Sequence, residues 1–104
     1  MAGKIRDPPK RMKFTYPGGD RMEGTVIKAT QVRVHLGNSA DYATRVELIE
    51  PDRKRSKHIR FAYYRRPAGG GDRDWTFASQ YTWVFSVEET MRAIQDAQEL
   101  GILL

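Results

Sequence analysis

The side chains in this 104-residue chain with the most capacity for chemistry are arginines set at alternate positions. Successive side chains of a β-strand point to opposite faces. Arg60, Tyr64 and Arg66 therefore share one face of the run Ile59–Arg66, with Ile59, Phe61 and Tyr63 on the other. Arg45 alternates with Val46 in the run Tyr42–Ile49, and Arg33 and His35 alternate with Val32, Val34 and Leu36. If one face, holding Val34, Val46, Phe61 and Trp83, is covered, the other carries Arg33, His35, Arg45, Arg60, Tyr64 and Arg66. Guanidinium groups neutralise phosphates, and a tyrosine between them stacks on an unpaired base. Arg53, Lys54, Arg55 and Lys57 precede this group, and no acid lies between Arg53 and Arg66. The expected chemistry is non-catalytic nucleic-acid binding, single-stranded or structured, by Arg33, Arg45, Arg53, Lys54, Arg55, Lys57, Arg60, Tyr64 and Arg66. The competing reading makes Arg33, Arg45 and Arg60 ordinary strand residues paired across strands with Glu47 or Glu50.

Other reactive groups are sparse. Cysteine is absent, which excludes disulfides, thiolate metal sites and thiol nucleophiles. His35 and His58 are the only histidines, and no metal-ligand spacing links them. Gly69-Gly70-Gly71 is not followed by the Lys-Ser or Lys-Thr of a phosphate loop. Glu88 and Glu89 are explained by their place at the start of a helix. The expectation is a protein with no enzyme activity, no cofactor and no metal.

Charge sharpens the binding reading. The net charge is +5, and residues 1–73 hold 17 of the 18 basic groups and 8 of the 13 acids. One positive region and one negative end follow, and a basic cluster of this kind is the electrostatic footprint of nucleic-acid binders. No apolar run is long enough to span a bilayer and no secretory signal is visible. A cytoplasmic setting without a membrane partner is expected.

The elements that must position these groups are short and regularly punctuated. Residues 1–11, with Pro8 and Pro9, predict a flexible basic arm, and 12–104 a single domain. Tyr16-Pro17-Gly18-Gly19 suits a type II turn between a strand at Met12–Tyr16 and one starting near Arg21. Residues 37–41 read as a hairpin loop, and residues 67–72 as a flexible glycine loop. Beyond it Trp75, Phe77, Ser79, Tyr81, Trp83 and Phe85 alternate as a core strand. Trp75 beside Arg73 stands out as a residue that a mobile loop could clamp on a base or peptide. Ser86 with Glu89 forms a capping box for a C-terminal helix, and Gly101 suits the position just past its end. Val87, Met91, Ala93, Ile94, Ala97 and Leu100 form its apolar half.

The fold class expected is α+β: an antiparallel β-meander of four to six strands, possibly strongly curled, with one C-terminal α-helix packed on one face. Hairpin strands followed by a capped helix, around Ile59–Ile94, resemble the layout of small single-stranded-DNA-binding transcriptional coactivators. Ala43, Ile49, Ala62, Ala78 and Val84 would leave the open face half apolar. A homodimer or protein–protein module is therefore the alternative function, with the apolar end Ile102-Leu103-Leu104 docked on its own core.

Overall fold

The computed structural model describes residues 2–15, 18–53, 57–78 and 87–103. Strands β1 (Lys10–Thr15), β2 (Arg21–Ala29), β3 (Arg33–His35), β4 (Ala40–Pro51), β5 (His58–Pro67) and β6 (Thr76–Phe77) precede one helix, α1 (Val87–Glu99). All strand pairs are antiparallel, in the order β1-β2-β4-β5-β6, with β3 on β4. The molecule is a curled antiparallel sheet with a single C-terminal helix packed against it, the expected α+β architecture. The helix is too short and polar to cross a membrane. The expected strand residues Ser79, Tyr81, Trp83 and Phe85, the cap Ser86, and Lys54 and Arg55 of the basic run lie outside the described residues.

β4 and β5 form the centre. Their register sets Val46 opposite Phe61, Glu47 opposite Arg60 and Ala43 opposite Tyr64, so the alternation read from each strand interlocks. On one face Val46, with Leu48 beside it, packs against Ala93 and Ala97 of α1 and Ile102 beyond it. Val46 is wholly buried, a contribution of about 1.5–3 kcal/mol for a side chain of this kind. The other face buries Ala43, Ala62, Tyr64 and Trp75, with Ile5, Val32 and Phe77 packed on them.

Helix α1 ends as its sequence predicts. Gly101 has φ +73°, a left-handed conformation that glycine adopts without penalty. Its amide donates to Gln98 O (3.0 Å) and that of Ile102 to Ala97 O (2.9 Å), the paired bonds of a Schellman motif. Ile102 is thereby folded back into the core beside Ala97, where the apolar chain end was expected to dock.

Residues 1–11, where a flexible arm is expected, make specific contacts with the sheet. Gly3 and Trp75 exchange backbone hydrogen bonds (2.8 and 3.0 Å), the Arg6 carbonyl accepts from Arg45, and β1 already begins at Lys10. The arm thus lies across the sheet face opposite the helix, because Ile5 covers apolar surface there.

The phase of β3 is reversed as well. Arg33 pairs with Thr44 and His35 with Tyr42, so both face the helix, while Val34 pairs with Ala43 and is half exposed. The cause is the ion pair with the helix: Asp96 of α1 takes Arg33 in a two-bond contact (2.7 and 3.1 Å), and His35 sits on the same face with Glu89 3.7 Å away.

The buried face of α1 also differs from the expected one. Only Ala93 and Ala97 are buried, and Val87 and Met91, expected inside, are 78% and 63% exposed.

Candidate nucleic-acid interface

The basic face anticipated from alternation exists as a set of residues, but it is not an open surface. Arg45, Arg60 and Tyr64 converge on the carboxylate of Glu47, which is fully buried. Arg45 Nε donates to Oε2 and Arg60 Nε to Oε1, each at 2.7 Å, and the Tyr64 hydroxyl donates to Oε2 at 2.9 Å. Local geometry makes this convergence natural. Glu47 and Arg60 are directly opposed, where side chains lie close enough to pair, and Arg45 lies two residues along β4 on the same face.

Electrostatics and burial compete here. Burial works against an ionised Glu47, but the charges of Arg60 and Arg45 outweigh it and hold the carboxyl below its ordinary range. Burial, reinforced by the Glu47 charge, pushes the Tyr64 hydroxyl up to about 12. Lys10, half-buried with its ammonium 5.5 Å from the Tyr64 ring centroid, is pushed down by burial.

Each residue of the expected face can be placed. Tyr64, expected to stack on a base, is 4% exposed and packs edge-on against Phe77. Arg45 is buried with it, although phosphate contact was expected. Arg60 is partly exposed, but its guanidinium lies 4.2 Å from the Phe77 ring centroid and is held by Glu47. Arg66 donates to Asp41 (2.9 Å) and lies 4.3 Å from the Trp75 ring centroid. Its hydrogen bond holds Asp41 below the usual carboxylate range. Trp75 is buried beneath Arg66 and is no exposed clamp. Arg33 belongs to the helix contact, and its hydrogen bonds hold Asp96 low. The pairing of Arg45 and Arg60 with Glu47 was foreseeable; its burial depended on cover from the arm and β6, which alternation in β4 and β5 does not reveal.

Arg53 and Lys57 remain, both exposed at the β4–β5 hairpin end. The β1–β2 hairpin projects at the same end, since Gly24 pairs with Pro51 and the Asp52 amide donates to Glu23 O (3.0 Å). Arg11 of β1 clasps Asp52, Nη1 donating to Oδ1 (2.7 Å) and Nη2 to Oδ2 (2.5 Å), which holds the Asp52 carboxyl below its ordinary range and ties the hairpins together. Exposed Arg21 on β2 joins Arg53 and Lys57 there, a neighbour that only the strand order reveals. Among the described residues none of these three cations is paired with a carboxylate. No group of three or more His, Asp or Glu side chains suited to a metal ion occurs among the described residues. Comparison with protein-family models, curated proteins and solved structures finds no match.

Proposed function

We propose that this protein binds nucleic acid without catalysis, in the cytoplasm, through the hairpin end and not through a sheet face. The observation that carries the reading is the exposed set Arg21, Arg53 and Lys57, in a chain whose segment from Arg53 to Arg66 has no acid. Exposed cations on projecting β-hairpins suit phosphate contacts, and β-ribbons enter nucleic-acid grooves. Affinity then rests on counterion release and falls as salt rises. Fluorescence anisotropy with labelled single-stranded and duplex DNA and RNA, at two salt concentrations, tests it. Binding that weakens with salt and in Arg53→Ala/Lys57→Ala supports the proposal; no binding at low salt overturns it.

A second reading rests on Val87 and Met91, one turn apart and largely exposed on α1. An apolar pair beside Glu88 would suit a second copy of the chain. Sedimentation of the wild type and Met91→Ser tests it: a dimer held by apolar contact persists in salt, whereas phosphate binding does not.

A further inference from the structure

One edge of β4 is not continuously paired. β2 leaves it at Ala29, opposite Glu47, and β3 rejoins it at Arg33, opposite Thr44. Thr30 bridges the gap: its amide donates to Val46 O (2.9 Å), and its hydroxyl oxygen accepts from Val46 N (2.9 Å). Beside this break lies an open cleft of about 840 Å³, bordered by Thr30, Arg33 and Arg45, by Asp7 of the arm, and by Asp96 and Glu99 of α1. Its volume is that of a small-molecule site.

Arg45 is the unusual member. Its side chain is 1% exposed, Nε is held by Glu47 and Nη1 by the Arg6 carbonyl (2.9 Å), but Nη2 has no hydrogen-bond partner. A buried donor without an acceptor is costly and rare in native structures. Charge towards the outside has the opposite sign. Arg33 is engaged by Asp96 through Nε and Nη2, whereas Asp7 and Glu99 are exposed and form no salt bridge among the described residues. At the end of α1, Lys28 Nζ donates to the Leu100 carbonyl (3.2 Å) and offsets part of the negative end of the helix. A phosphate dianion would meet two unpaired carboxylates; a bare cation would leave Arg45 unanswered.

We infer that the cleft binds a small molecule with a carboxylate at one end and a cationic amine or guanidinium at the other. The carboxylate lies towards Arg45 Nη2 and the cation towards Asp7 and Glu99. The site is separate from the hairpin end: Arg45 stands six residues along β4 from Pro51, about 20 Å of extended chain.

The test uses L-arginine as probe and agmatine, the same molecule without its carboxylate, as comparison, each titrated into isotopically labelled protein. L-arginine is expected to give saturable NMR shifts at the amides of Thr30, Gln31 and Arg33. Agmatine should bind about tenfold more weakly, having lost a charge-assisted hydrogen bond. The exposed substitutions Asp7→Asn and Glu99→Gln should each weaken L-arginine several-fold. The inference is overturned by the absence of saturable shifts at millimolar probe, by agmatine binding as tightly as L-arginine, or by affinities unchanged in both variants.

Discussion

The Tyr64 hydroxyl donates to Glu47 Oε2 from the neighbouring strand at 2.9 Å, and both side chains are buried. This contact decides the character of the sheet face opposite the helix. An acid that draws two arginines and a tyrosine inward makes the face an internal polar network, closed over by the arm and β6.

Glu47→Gln should therefore be among the most damaging substitutions in the chain. It leaves the guanidinium of Arg45 buried without its counter-charge, a loss of about 3–5 kcal/mol for a broken buried pair. Urea unfolding of the purified variant measures it. A change below about 1 kcal/mol would mean that the network contributes little.

Acid should unfold the protein through a definite set of carboxylates. Glu47, Asp41, Asp52 and Asp96 are all held below their ordinary values of 4.5 and 3.8. A depressed folded-state value means that the unfolded chain takes up protons first as pH falls. The stability these groups contribute is present above those ordinary values and is lost as pH falls through the folded ones. Urea midpoints measured from neutral pH downwards should begin to drop near pH 4.5; a flat profile to pH 3 would contradict the pairing.

Alkali acts on Tyr64 with the opposite sign. A raised value means that the folded state holds the phenol proton, so its contribution is present below pH 10.0 and is lost as pH rises towards about 12. Lys10, held below 10.5, works the other way, but its range ends near that value and leaves the loss above it intact. Ultraviolet absorbance should show a late-titrating phenol among the five tyrosines, and it should vanish in Tyr64→Phe. Titration unchanged by that substitution would contradict the burial.

Gly101→Ala isolates a backbone effect. An added Cβ would meet nothing within 4 Å, so the cost is conformational: about 1–2 kcal/mol for a left-handed residue with a side chain. Thermal unfolding should show that loss. An unchanged midpoint would mean that the Schellman turn relaxes freely.

Much of this fold is readable from local pattern. The alternation over Tyr42–Ile49 and Ile59–Arg66 assigns the two sides of β4 and β5 correctly, since each strand is long and its faces differ in polarity. Gly101 marks the helix end because the left-handed turn needs it. Alternation fails at β3, which is three residues long; there the contact of Arg33 with Asp96 sets the phase. It also separates the two sheet faces without revealing what covers them. Glu47, two residues after Arg45, was the available signal that this face would turn inward. Exposed Arg21 beside Arg53 had none, because β1–β2 meets the β4–β5 end only through strand order.

The central claim is that the hairpin end, not the sheet face, meets nucleic acid. Anisotropy titrations of a labelled single strand over a range of salt concentrations test it most directly, comparing the wild type, Arg53→Ala/Lys57→Ala and Tyr64→Phe. The account predicts a logarithmic affinity that falls linearly with the logarithm of salt, with a slope shallower by about 1.4 in the double variant, which has lost two phosphate contacts. Tyr64→Phe, provided it remains folded, should bind as the wild type does. Wild-type slope and affinity in the double variant, with loss of binding in a folded Tyr64→Phe, would contradict the account and return the site to the sheet face.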